Sequence, residues 1–392
     1  MATRTPAFVK PELLIWARES GGFTVPAAAA KLKVSVDRLQ EWEQGDRTLS
    51  VPQLRKIAAL YKRPIAVFFL PEPPATFDAM RDFRRLSAED LKHSPALELE
   101  IRRVHMRRDN VIEIREETDW DVTVFGELIG GAPIESEELA RFARKLLGIE
   151  LADQSALKGD PYAALALWTS AIERLGVLVF HAAKVELGEM RGFSVYHPLL
   201  PIIVVNAKDS PRGRLFTLVH ELAHLLLRAD GLCDEHDSGD YSDPEVFCNQ
   251  VAGSILVPSE TLGSEAVVRS MVDGKISNEE IQALARRYAV SQEVIIRRLL
   301  TLGKVSSRFY QQKRDEFFDF YLRTSIKGMT GAPPYHVLVV RNLGRQYVRA
   351  VLGAYYQDAI TASTLADYLG VRLKTIPQIE QVMVKSEAPL SP

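Results

Sequence analysis

A mainly α-helical protein with a small β-sheet, α+β in class, is what the 392 residues predict. Three observations carry this expectation. Apolar residues recur at helical spacing over most of the chain, as at Leu54, Ile57, Ala58 and Tyr61. Only Val177–Phe180, Gly192–Tyr196 and Pro201–Val205 read as strands in the first three quarters of the chain, the last two as a hairpin. Proline and glycine clusters then divide the chain. They leave an all-α N-terminal part (1–70), a linker with a connecting helix (71–129), a central α+β body (130–304) and a C-terminal α/β part of unknown role (305–392).

Taken in order, the first part offers helices at Glu12–Glu19, Val25–Leu32, Ser35–Gln44 and Ser50–Tyr61. Ser35 and Ser50 suit N-caps and Gly45 suits a C-terminal stop. The prolines of Pro71–Pro74 end this region, and a charged helix runs from Pro95 to Glu117. The central body adds helices at Glu137–Leu147, Tyr162–Leu175, Pro211–Leu227 and Pro244–Leu256, and a helical pair over Asn278–Leu302. Beyond it come a charged helix, a strand at Val337–Val340, helices near Leu365 and Ile379, and a tail, residues 386–392, expected to fray.

Composition excludes several classes. Hydrophobic residues at 46% and charged residues at 26% suit a soluble globular chain and not a disordered one. Cys233 and Cys248 cannot make a disulfide framework, which suits a reducing, cytoplasmic setting. The N-terminus lacks the apolar stretch of a secretory signal, and no apolar run approaches the ~20 residues of a membrane span. A net charge of -2 excludes a histone-like polycation but leaves room for a small basic module. Residues 1–75 hold eleven Lys/Arg against seven Asp/Glu.

The strongest chemical signal is His220-Glu221-x-x-His224, set in the helix LVHELAHLLL. Histidines four apart share one helix face, so both imidazoles reach one tetrahedral zinc. The glutamate lies about 100° round the helix, where it meets a water and not the metal. Zinc lowers the pKa of such a water to about 7, and the carboxylate takes its proton as general base. Polar residues on a leucine-rich face cost several kcal/mol to bury unless something binds them.

A catalytic zinc wants a third protein ligand and an open position. Asp230, His236 and Glu245 are the candidates; Leu227 argues against a glycine-turn ending of the helix, and so against Asp230. Glu245 opens a second helix, PEVFCNQVAGSILVP, the arrangement of glutamate-type zinc peptidases, and is preferred. Asn249, one turn on, is a candidate to hydrogen-bond the ligands from outside. Cys248 reads as a small packed residue.

FTLVHELAHLLL followed by EVFCNQVAGSILVP resembles the ImmA/IrrE family of bacterial metallopeptidases. Phe216, Thr217, His220, Glu221, His224, Glu245, Asn249, Ala252 and Pro258 match its pattern, while Cys248 replaces the usual alanine and Val251 the usual phenylalanine. The upstream hairpin ends in Asn206, also as in that family. The resemblance covers about Gly130–Gly303 and implies a zincin-like domain with a second helix–turn–helix segment at 276–302. It implies a zinc endopeptidase that relieves repression by cutting a repressor of the Xre type; manganese is the alternative metal.

Residues 10–70 resemble the Xre/Cro-type DNA-binding domain through VSVDRLQEWEQG. Such a fold places the start of its second helix in the major groove. That face offers Ser35 and Arg38 as contacts, with Asp37 and Glu41 opposing, while Lys31, Lys33, Arg47 and Arg55 suit phosphates. ALARRYAVSQEVIIRRL repeats the pattern with Arg286, Arg287, Arg297 and Arg298, and LADYLGVRLKTIPQIE echoes it near Tyr368. The expected partners are DNA and a repressor substrate. The competing expectation is a regulator or antitoxin whose peptidase-like domain binds a cognate toxin without routine proteolysis. A homodimer fits either.

Overall fold

The computed structural model describes residues 5–74, 94–118, 120–228, 244–271, 274–324 and 333–385. The chain forms two compact units, Met1–Met106 and Arg107–Pro392, which divide inside one helix, Pro95–Glu117.

The first unit holds β1 (Pro6–Ala7), α1 (Pro11–Glu19), α2 (Val25–Leu32), α3 (Val36–Gln44), β2 (Leu49–Ser50), α4 (Val51–Leu60), a 3-10 turn at Ile65–Phe69 and the first half of α5 (Pro95–Glu117). The boundaries follow the caps. Ser35 accepts from Arg38 N at 3.2 Å, Gly45 ends α3 at φ 82, and Ser50 with Gln53 closes a capping box on α4. Leu13, Leu14, Leu39, Trp42, Leu54 and Ile57 make one core. Inside it Arg18 pairs with Glu43 at 2.8 Å and also donates to Phe23 O, so the buried charge is both paired and hydrogen-bonded. The short β1–β2 antiparallel pair was not legible in the sequence, since two residues carry no period.

The second unit begins with the rest of α5 and continues through α6 (Phe125–Leu128), α7 (Ser136–Leu147), α8 (Leu151–Ala156) and α9 (Pro161–Arg174). Its sheet is β3 (Leu178–Ala182), β4 (Gly192–Val195) and β5 (Ile202–Asn206), in the order β3-β5-β4. β5 runs parallel to β3 and antiparallel to β4, which leaves β4 at an edge. All five residues of β5 are buried, as a central strand requires. Asn206 at its end is fully buried, donating to Val185 O and Met190 O and accepting from Lys208 N. It therefore holds the turns around the sheet.

Against this sheet lies α10 (Pro211–Arg228), and α11 (Pro244–Leu256) packs on α10 and α7. Trp168, Ile172, Val179, Ile203, Leu218, Leu222, Ile255 and Ile296 belong to one continuous core. Each fully buried aliphatic side chain there contributes roughly 1.5–3 kcal/mol. The chain goes on through α12 (Ser259–Ser264), α13 (Ala266–Arg269), α14 (Asn278–Arg287), α15 (Gln292–Thr301), α16 (Ser307–Thr324), α17 (Tyr335–Leu343), α18 (Arg345–Tyr356), α19 (Ala362–Leu369) and α20 (Ile376–Lys385).

One expectation fails here. Val337–Val340 is not a strand but part of α17, and the described part of 305–392 is helical throughout, not α/β. Val339, Val340 and Leu343 are buried at helical spacing after Pro334, and α17 and α18 pack on β3. That packing overrides the β preference of a valine-rich run. Gly344, at φ 74, marks the contact: a Cβ there would lie 2.3 Å from Val179 O. The tail 386–392 lies outside the described residues.

Candidate metal centre

α10 carries His220 and His224 one turn apart, and α11 brings Glu245 to them from its first turn. His220 Nε2 lies 3.1 Å from His224 Nε2 and 3.2 Å from Glu245 Oε2, while His224 Nε2 lies 3.3 Å from Glu245 Oε1. Ligands held at 2.0–2.1 Å around a tetrahedral ion stand about 3.3–3.4 Å apart, so the three donors fit a zinc-type ion. The preferred third ligand, Glu245, is thus the one brought to the histidines. Asp230 and His236, like Cys233, lie outside the described residues.

The electrostatics have one sense. Burial alone would lower the His224 pKa, but its bonds to Cys248 and Glu245 outweigh burial and push it up to about 11. Hydrogen bonds from His220 and then His224 hold the Glu245 carboxyl far below the usual carboxylate range, against a smaller opposing effect of burial. Both shifts come from the hydrogen bonds within this cluster.

Two contacts were missed in the sequence. Cys248, fully buried on α11, places Sγ 3.4 Å from His224 Nδ1, so the residue expected only to pack also touches a ligand. Ser194 on the edge strand β4 donates to Glu221 Oε2 at 2.8 Å and orients that nearly buried carboxylate. Gly192 makes the approach possible. A Cβ there would come within 2.3 Å of Thr217 Cγ2 and 3.2 Å of Glu221 Oε1. The signal was available: small residues two apart in a strand share a face, here the face that meets α10.

Asn249 is half-buried beside a cavity next to the cluster, with Phe216. Among the described residues no hydrogen bond joins it to His220, His224 or Glu245. Phe216 stacks on His220 with ring centroids 6.3 Å apart.

In the first unit, α2 and α3 are joined by Lys33 at φ 58. Ser35, Val36 and Asp37 are exposed at the start of α3, and Arg38 is half-exposed. Arg38 and Arg47 both reach Glu41, at 3.2 and 3.4 Å. The predicted DNA contacts Ser35, Arg38, Lys33 and Arg47 are therefore at the surface, with Ser35 also serving as the cap. In the second motif the arginines are engaged. Arg287 pairs with Glu265, Arg297 with Glu293 and Arg298 with Glu137, and Arg298, 1% exposed, is not on a solvent face.

Residues 14–68 match the family described as helix-turn-helix, spanning most of α1 through the 3-10 turn. Residues 172–300 match the peptidase M78 family, described as the IrrE N-terminal-like domain. That match runs from the end of α9 into α15, so it covers all but the last residues of the second helix–turn–helix. No curated protein matches the chain. Among the described residues no helix is long and apolar enough to cross a membrane. The chain thus matches a helix–turn–helix family over 14–68 and the IrrE N-terminal-like domain over 172–300, in keeping with its ImmA/IrrE resemblance.

Proposed function

We propose that this chain is a zinc-dependent endopeptidase, addressed by a DNA-binding helix–turn–helix, that cuts a protein such as an Xre-type repressor. The observation that carries this reading is the meeting of His220, His224 and Glu245 at 3.1–3.3 Å beside an intact Glu221. A purely structural zinc site has no need of Glu221 and is more often closed by four protein ligands.

His220, His224 and Glu245 hold the ion, which supplies Lewis-acid activation of a carbonyl and of water; manganese serves as a substitute. Glu221 takes the proton of the attacking water and returns it to the leaving amine. Ser194 fixes Oε2 of Glu221, leaving Oε1 for that proton. The outer edge of β4 pairs with no other described strand, and an extended polypeptide laid along it is hydrogen-bonded past Glu221. Exposed Ser35 and Arg38 on α3 meet base edges, with Lys33 and Arg47 on phosphates.

The test incubates the zinc-loaded full chain with Xre-type repressors encoded near it, in parallel with Glu221→Gln. Cleavage by the native chain and not by the variant is expected. Cleavage that survives in Glu221→Gln overturns the catalytic role. No cleavage, together with sequence-specific, salt-sensitive DNA binding, points instead to a regulator or antitoxin. Glu245→Ala should strip most bound metal; retained metal that falls with His236→Ala or Asp230→Ala would move the third ligand. Cys248→Ala should weaken metal affinity by roughly 10–100-fold, with Cys248→Ser restoring part of it, measured by chelator competition.

A further inference from the structure

The two faces of α10 differ around the cluster. Thr217 and Glu221 face β4, whereas Phe216, His220 and His224 face α11. On that second side a cavity of about 170 Å³ opens between α10, α11 and α15. It lies beside the cluster, with Phe216 of its lining stacked on His220 at 6.3 Å between ring centroids. An engineered cavity of about 150 Å³ holds a benzene ring, so this one admits a single large side chain.

Its chemistry is asymmetric. Phe216, Val246 and Gly253 give an apolar floor, and Asn249, Arg297 and Arg298 bring polar groups. Among the described residues that line it none is a carboxylate. Arg298 serves as wall: its guanidinium is buried on Val257 O at 2.9 Å and Glu137 at 2.8 Å, and its stem lies against Gly253, where a Cβ would come within 3.1 Å of Cδ. Arg297 is different. Its side chain is 38% exposed, Nη2 reaches Glu293 at 3.2 Å, and the group lies 5.7 Å over the Tyr310 ring. A guanidinium has five N–H groups, so donors remain, and the pair with half-exposed Glu293 is weak enough to rearrange.

We propose that this cavity is the specificity pocket of the metal site and receives an acidic side chain, glutamate or aspartate, of the polypeptide cut there. The inference rests on the peptidase reading above. The methylenes of the acid lie on Phe216 and Val246, and its carboxylate is met by Arg297 and the Asn249 amide. Because Phe216 joins the pocket to His220, the acid stands within a few residues of the scissile bond.

The experiment uses the zinc-loaded full chain and quenched peptides in which each position flanking the cut carries Glu, Gln, Lys or Leu in turn. At one position Glu should raise kcat/KM about tenfold over Gln, and Arg297→Glu should turn that preference toward Lys. A preference for Leu or no preference there, or a Glu preference that persists in Arg297→Glu, overturns the pocket. Binding separates this from failure of the peptidase reading. Labelled peptides on Glu221→Gln protein should bind several-fold more tightly with Glu than with Gln at that position. Equal binding overturns the pocket whether or not the native chain cuts anything. Free glutamate competing as well as the peptide would mark a small-acid site and also overturn it. Thermal denaturation of Arg297→Glu checks that the partly exposed substitution leaves the fold intact.

Discussion

At Lys33–Ser35 and again at Ala289–Ser291 the chain makes the same corner. Lys33 and Ala289 sit at φ 58 and φ 53, and the following valines return to Ala29 O and Ala285 O, each at 3.0 Å. Ser35 and Ser291 then cap the next helix, each accepting at 3.2 Å from the backbone three residues on. The helices that follow differ in what they touch. α3 buries Leu39, Trp42 and Glu43 and keeps its first turn at the surface. α15 buries Val294, Ile295, Ile296, Arg298 and Leu299 and packs on α11. Corner geometry is therefore no evidence of nucleic-acid binding by itself. In one unit the first turn of the helix is exposed, and in the other the helix packs on α11 and walls the cavity beside the His220, His224 and Glu245 cluster.

The largest effect that tests this contrast is on stability. Arg298→Met removes a buried guanidinium and leaves Glu137 on Ser254 and Ser259 alone, and should cost about 3 kcal/mol in denaturant unfolding. Arg38→Ala breaks only the exposed pair with Glu41 and should cost under about 0.5 kcal/mol. Equal costs would mean that the two helices are used alike. DNA binding should show the opposite ranking. On a duplex selected from a random pool, Arg38→Ala should lose about 1–3 kcal/mol of affinity, while folded Arg298→Met binds as the native chain does. Loss of DNA binding in Arg298→Met with the fold retained would make the second motif a reader after all.

How much of this was visible in the sequence follows from the range of each signal. His220, Glu221, His224 and Glu245 were legible because metal ligation demands fixed residue types at helical spacing, and a second helix supplies the third donor. Ser35, Ser50 and Gly45 were legible because caps are local. The Cys248–His224 contact was not, since it depends on packing between segments far apart in the chain, and for Ser194 only the shared strand face with Gly192 was legible, not its partner. The fate of Arg298 was hidden for the same reason: Glu137 is 161 residues away (298 − 137), and a surface arginine and a buried one look alike in a helix. Val337–Val340 misled because intrinsic preference was read without the strand it covers.

The two caps give a smaller test. Ser35→Ala and Ser291→Ala each remove one acceptor from a helix N-terminus, and each should cost about 1 kcal/mol. Only Ser35→Ala should also weaken DNA binding, because only that hydroxyl is exposed at the start of a free helix. Ser291→Ala with weakened DNA binding at unchanged fold would contradict the assignment.

The corner residues give the smallest effect and the most specific one. A non-glycine residue in the left-handed region costs about 1 kcal/mol relative to glycine, so Lys33→Gly should raise the stability of its unit by up to that amount. Ala289 is fully buried, and Ala289→Gly gains the same backbone relief while losing a buried methyl that is itself worth about 0.8 kcal/mol. The two terms nearly cancel, so Ala289→Gly should be close to neutral. Lys33→Gly should at the same time reduce the dependence of log K for DNA on log salt by about 1, as loss of one phosphate contact requires. A stabilised protein with an unchanged salt slope would show that Lys33 touches no phosphate. A stabilised Ala289→Gly would show that its methyl packs on nothing, and that the second corner is as free as the first.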